Sequence, residues 1–148
     1  MTESQELYDE MAGLLSGIGL SLVELDVRQR RGSTQVRSVV YRPGGTGIDE
    51  CVAAHRIMQP RLSVLLGVED FHMEVASPGI DRTFKSAAEY SVFVGRGVRL
   101  FLDDESVVAG RLVSSDGSLV LVASPDGTSS VPVDSIRKCK LDDSQEGR

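Results

Sequence analysis

From Phe71 to Ala76 the chain alternates apolar and polar residues and then runs into Ser77-Pro78-Gly79, a combination through which strand pairing does not continue. Phe71, Met73 and Val75 take one side of that alternation, His72 and Glu74 the other. Proline fixes φ and has no N–H to give to a ladder, whereas glycine is free to adopt positive φ. Pro78-Gly79 therefore predicts the two central positions of a type II turn, which would present Asp81 and Arg82 in a defined direction. On turn chemistry alone, the segment is a well-made corner with an aspartate cap and an arginine ion pair.

The residues before the corner alternate between helical and strand periods. Thr2-Glu3-Ser4-Gln5 has the form of a capping box, and Leu7, Met11, Leu14, Leu15 and Ile18 follow at helical spacing until Gly17 and Gly19. Val23, Leu25 and Val27 then alternate with Glu24, Asp26 and Arg28, Gly32-Ser33 reverses the chain, and residues 34–42 are the predicted antiparallel partner. Beyond the loop Pro43-Gly44-Gly45-Thr46-Gly47 a second helix is predicted, with Asp49 and Glu50 complementing its dipole. Its expected inward face is Ile48, Cys51, Val52, His55, Met58, Leu62 and Leu65. Pro60 removes one backbone bond from that helix and predicts a kink near Arg56 or a division into two pieces. Ser86-Ala87-Ala88-Glu89 predicts a capped short helix carrying Tyr90 and Phe93, so the first domain reads αββαβα.

From Val94 the pattern changes to short strands separated by turn residues, the pattern of a small all-β unit. Strands are predicted at residues 98–102, 106–114, 119–122, 129–132 and 137–141. Turns fall at Asp103-Asp104-Glu105, Asp116-Gly117 and Pro125-Asp126-Gly127, with one helical turn at residues 133–136. Five such strands predict a closed barrel. The domains are then residues 1–93 and 94–143, and residues 144–148 read as a flexible tail.

A chain of 148 residues buries about 70% of its unfolded surface, enough for a real core in one domain or two small ones. Sixteen Lys and Arg against 22 Asp and Glu leave a net charge of −6, which works against nucleic-acid binding by overall positive potential and suits a basic protein partner. Arg28, Arg30, Arg31 and Arg37 form a local exception on the first hairpin, with Arg42 further along. They serve equally well as phosphate contacts or as guards of an exposed edge. No apolar run approaches spanning length and the start is acidic, so a cytoplasmic location is expected. Cys51 and Cys139 read as free thiols. Cys51 and His55 stand four residues apart on one helix, but nothing completes a tetrahedral set, and a core cysteine beside a satisfied histidine is the expectation. The glycine-rich loop at residues 44–47 lacks the lysine of a phosphate cradle, and Ser77 lacks the glycine spacing of a nucleophile elbow. Neither metal, cofactor nor catalysis is expected.

Residues 77–82, preceded by Glu74-Val75 and followed by Phe93-Val94-Gly95-Arg96, resemble the bacterial ribosome maturation factor RimP family. Ser77, Pro78, Gly79, Asp81 and Arg82 carry the resemblance, while Ala76 stands where that family more often has serine and Thr83-Phe84 where it has Pro-Leu. Gly95-Arg96-Gly97-Val98, Gly110-Arg111-Leu112 and Val131-Pro132-Val133-Asp134 extend it over nearly the whole chain. The resemblance implies an α+β fold: a KH-like N-terminal domain followed by a small SH3-like (Sm-like) β-barrel. It also implies a non-enzymatic, monomeric assembly factor that binds the immature, free small ribosomal subunit, including a basic ribosomal protein and its RNA. Asp103, Asp104, Glu105 and Asp116 are the acidic candidates for the protein contact. A general KH-like and Sm-like regulator of transcripts is the alternative, disfavoured by the missing GXXG clamp and the acidic balance.

Overall fold

A computed structural model describes residues 3–146, with a division into two compact units between Pro78 and Gly79. The Thr2 end of the expected capping box and the last two residues of the expected tail lie outside the described residues.

The first unit is α1 (Glu3–Ser16), β1 (Ser21–Arg30), β2 (Ser33–Tyr41), α2 (Ile48–Leu66) and β3 (His72–Ala76). β1 and β2 pair antiparallel across the tight turn Arg31-Gly32, where Gly32 takes φ 67°; β3 returns parallel to β2 after the α2 crossover. Met11 and Leu15 of α1 join Ala54, Met58 and Leu62 of α2 over Leu22, Val36, Val40 and Met73 of the sheet, giving one core. A bulge between Leu22 and Glu24 changes strand parity, so that Leu25 and Val27, beyond it, also pack against that core.

The inward face of α2 differs from the sequence expectation. Ile48 is 82% exposed, Val52 42% and Leu65 41%, while the buried stripe is Ala54, Met58 and Leu62, flanked by Cys51, Ile57 and Leu66. A small side chain at Ala54 continues the i, i+4 row. Ile18 is likewise exposed beyond the end of α1. Pro60 does not divide the helix: α2 runs unbroken over 19 residues with Pro60 on its exposed side, where water can satisfy the carbonyl left without an N–H. Gly67, at φ 68°, ends it in the left-handed conformation, with the N–H of Val68 returning to Ser63.

The second unit begins earlier than the expected boundary at residues 93 and 94. Residues 79–93 pack with the later strands: the N–H of Phe84 bonds to the carbonyl of Cys139 at 2.8 Å, and that of Leu141 to the carbonyl of Arg82 at 2.9 Å. Rings of Phe84, Tyr90 and Phe93 pack together, with α3 (Glu89–Val92) supplying Tyr90. The first unit is therefore αββαβ, and the short helix belongs to the second.

That unit holds β4 (Gly97–Leu102), β5 (Val107–Ser115), β6 (Leu119–Ser124), β7 (Gly127–Pro132) and β8 (Ile136–Leu141), in the antiparallel order β7-β6-β5-β4-β8. Val98, Leu100, Leu112, Val120, Val122, Val131, Cys139 and Leu141 are its buried strand residues. The expected closed barrel is not formed; β7 and β8 are the two ends of an open sheet. The free edge of β8 is taken instead by residues 82–84, including a bridge from Thr83 to Lys140.

Residues 144–146 of the expected tail are held in place. A 3₁₀ turn (Asp143–Gln145) folds back on β4: the N–H of Asp142 bonds to the carbonyl of Gly97, and Glu146 pairs with Arg96.

Gly97 and Gly110 are sites of close backbone approach. A Cβ at Gly97 would lie 2.2 Å from the carbonyl oxygen of Asp142, and one at Gly110 2.3 Å from that of Ala123. Gly110→Ala forces the β5–β6 ladder apart and is expected to cost about 1–3 kcal/mol in urea denaturation. A change within experimental error would show that the strands separate freely there.

Candidate interaction site

The corner after β3 is two residues later than a type II turn over Pro78-Gly79. Gly79 does not take positive φ; its carbonyl accepts from the N–H of Arg82 at 3.2 Å, so Ile80 and Asp81 are the central residues. The motif residues thereby separate: Ser77, Gly79 and Asp81 are exposed and Pro78 half-buried, whereas Arg82 is directed inward.

The side chain of Arg82 is 9% exposed and meets a carboxylate, Glu89, that is 1% exposed, with Nε to Oε1 at 2.7 Å. The other oxygen of Glu89 accepts from the backbone N–H groups of Lys85 at 2.8 Å and Ser86 at 3.1 Å. Glu89 thus reaches back to Ser86 as a capping residue does, and at the same time neutralises a buried guanidinium. Neighbouring groups are kept protonated. Burial first, then the charge of Glu89, pushes the Cys139 thiol up to about 12, and burial raises the Tyr90 phenol as well.

On the first hairpin, Asp26, Arg28 and Arg30 of β1 lie opposite Arg37, Gln35 and Ser33 of β2, so the three strand arginines and Asp26 share the face away from the core. Arg28 pairs with Asp26 at 3.1 Å and Arg37 with Glu24 at 3.4 Å. Arg30 and Arg31 stand at the tip and are in no ion pair among the described residues. Arg42, further on, pairs with Glu50 at 3.4 Å and donates to the carbonyl of Gly45.

The acidic turns also divide. Asp104 accepts from both the hydroxyl and the N–H of Ser106, and Asp116 from the N–H groups of Leu119 and Ser118 and from the Ser118 hydroxyl. These bonds hold both carboxyls below the usual carboxylate range, through the Ser106 hydroxyl for Asp104 and the Leu119 N–H for Asp116. Both acids build their own turns. Asp103 and Glu105, on either side of Asp104, are exposed, Glu105 at φ 71°.

Residues 11–81 match the family model described as the RimP N-terminal domain. The ribosome maturation factor RimP of Borrelia hermsii (strain HS1 / DAH) is 27% identical over 105 residues, which span 71% of this chain and 73% of that protein. That of Borrelia turicatae (strain 91E135) is 26% identical over 125 residues, 84% of this chain and 80% of that protein. These similarities all point to the RimP family.

The stretch matched to the RimP N-terminal domain ends at Asp81, so it includes the arginine hairpin and stops one residue short of the buried Arg82. Cys51 and His55 line an open groove with Thr46, Ile48, Val52 and Val75, and no group of three or more metal-ligating side chains exists among the described residues. No helix among them is long and apolar enough to cross a membrane. Three carboxylates that shape this chain were not singled out as site residues: Glu89, read only as a cap, and Asp142 and Glu146, which follow the last strand. A carboxylate near the end of a basic strand is a signal for such pairing, but the partners, Arg99 and Arg96, lie more than forty residues earlier.

Two variants test this arrangement. Glu89→Gln leaves a buried guanidinium without its counter-charge and is expected to destabilise the chain by about 3–5 kcal/mol in urea denaturation; a loss below about 1 kcal/mol would mean that Arg82 finds water. Asp116 has a depressed folded pKa, so its stabilising contribution is present above the ordinary carboxylate pKa and lost as pH falls through the folded value. The stability gap between Asp116→Ala and the parent chain should therefore be widest near neutral pH and narrow in acid. A constant gap would assign the loss to packing.

Proposed function

We propose that this chain is a non-enzymatic ribosome maturation factor that binds the free small ribosomal subunit and assists its maturation in the cytoplasm. The observation that carries the reading is the match of 71% and 84% of the chain to two proteins named ribosome maturation factor RimP. The fold is in keeping with it. An αββαβ unit accords with a KH-like domain. The order β8-β4-β5-β6-β7, with a 3₁₀ turn (Val133–Ser135) before the last strand, accords with an SH3-like sheet left open.

The charges suit two kinds of contact. Arg30 and Arg31, at the hairpin tip, are placed to meet phosphates, while Arg28 and Arg37 are largely neutralised by Asp26 and Glu24. Asp103 and Glu105 are the acids available to a basic ribosomal protein, because Asp104 and Asp116 are engaged in their turns.

Sedimentation tests the proposal: the chain should travel with free small subunits and be absent from joined ribosomes. Arg30→Ala with Arg31→Ala should weaken that association and reduce the slope of log K against log salt by roughly 1.4–1.8, the effect of two lost phosphate contacts. Equal distribution over free and joined particles would refute the proposal. An unchanged salt slope would return the two arginines to guarding the edge.

A further inference from the structure

The five strands of the second sheet contain no Asp or Glu, yet they carry Arg99, Arg111, Arg137, Lys138 and Lys140. In a chain of net charge −6 this separation is not a consequence of composition. The register gathers four of the five. Arg99 lies between Ala109 of β5 and Lys140 of β8, Phe101 between Val107 and Lys138, and Gly97 beside Arg111. Directly opposed residues share a face, as do residues two apart on a strand, so Arg99, Arg111, Lys138 and Lys140 all lie on the face away from Val98, Leu100, Cys139 and Leu141. Their backbone positions form a grid with a spacing of about 5 Å between strands and about 7 Å along each strand.

The surface between these cations is partly apolar. Phe101 lies under the ammonium of Lys138, which is 5.7 Å from the ring centroid, and it is flanked by the small Ala109 and the exposed Val107 of neighbouring positions. Arg111, Val107 and Lys138 are exposed, and neither Arg111, Lys138 nor Lys140 is in an ion pair among the described residues.

Arg99 and Arg96 are engaged, both by carboxylates from the segment after β8. Asp142 accepts from Nε of Arg99 at 3.2 Å and from a terminal nitrogen at 2.9 Å. Glu146 accepts from Nε of Arg96 at 2.7 Å and from the N–H of Gly97 at 3.1 Å. A guanidinium fork on one anionic oxygen is the kind of contact that a phosphate oxygen also makes.

We propose that this face binds a single-stranded RNA segment through its phosphates, and that Asp142 and Glu146 occupy two of the phosphate positions in the free protein. The face matches a polyanion: its cations repeat at strand spacing, its strands hold no carboxylate to repel one, and Phe101 offers a ring to an unpaired base. An acidic protein segment would find the charges but no use for the ring. The inference rests on the proposed function only for the presence of RNA at the particle where the chain acts.

The test uses the full chain and a labelled ten-nucleotide uridine RNA at low salt, followed by fluorescence anisotropy. Lys138→Gln with Lys140→Gln should weaken binding at least tenfold and reduce the salt slope by roughly 1.4, the effect of two contacts to a single strand. Glu146→Gln should tighten binding several-fold by releasing Arg96. Amide shifts in the unmodified chain on adding the RNA should centre on residues 99–101, 107–111 and 138–140, a readout independent of how the variants fold. Shifts centred elsewhere, or an unchanged slope in a folded double variant, would overturn the assignment. Equal displacement of the RNA by poly-glutamate of the same charge would make the face a site for acidic protein. Unchanged affinity in Glu146→Gln would remove the carboxylate clasp. A chain that sediments with free small subunits but does not bind the RNA overturns this inference alone; one that binds the RNA without sedimenting overturns only the proposed function.

Discussion

The second unit depends on one buried carboxylate. Glu89 receives the Arg82 guanidinium on one oxygen and the N–H groups of Lys85 and Ser86 on the other, so the loop from Arg82 to Ser86 has little freedom to move away. With the loop held, Arg82 and Phe84 exchange backbone bonds with Leu141 and Cys139, and the edge of β8 is covered. Of the two end strands of the open five-stranded sheet, β8 has thereby been given a partner. Replacing a buried ion pair with apolar groups is often neutral or stabilising, so the value of this pair lies in specifying where the loop docks.

Charge is distributed by structural role more than by amount. Apart from Glu89 in α3, the acids of the second unit lie in turns, the 3₁₀ turn before β8 included, and in the segment after β8; those at residues 103–105 and 116 divide between acceptors that build the turn, Asp104 and Asp116, and exposed groups, Asp103 and Glu105. Its strands carry only bases. A net charge of −6 therefore describes the far field that steers a partner, while any contact with the outer sheet face meets positive charge. On the first hairpin the reverse holds: four arginines in sequence become two at the tip, because Asp26 and Glu24 lie within reach of the other two.

Much of the secondary structure was legible because its signals are local. Every strand was expected to within two residues at each end, and glycines marked the ends of helices and turns. What failed depends on three dimensions. The apolar count on α2 favoured Ile48, Val52 and Leu65, but the face that packs is decided by where the sheet lies, and there the small Ala54 fits. The turn expected over Pro78-Gly79 moved to Ile80-Asp81 because Arg82 must enter the second unit, a demand that turn propensity does not contain. The boundary expected at residue 93 followed the change of pattern from helix to strand. Packing instead assigned α3 and its preceding loop to the strands that follow. Of the candidate site residues, the arginine tip and the acidic turns could be named from sequence, whereas their division into engaged and available groups required the hydrogen bonds.

Gly97 connects the sheet to the segment that closes over it. Its backbone N–H donates to Glu146 and its carbonyl accepts from Asp142, while Arg96, the residue before it, binds Glu146 through its side chain. A side chain at this position would fall 2.2 Å from the Asp142 carbonyl oxygen and 2.9 Å from Cβ of Gln145. The segment after β8 can therefore approach β4 only over a glycine. The Gly-Arg-Gly sequence at residues 95–97 supplies that space and the cation beside it together, which is why residues 144–146, read as part of a free tail from composition, lie against the sheet.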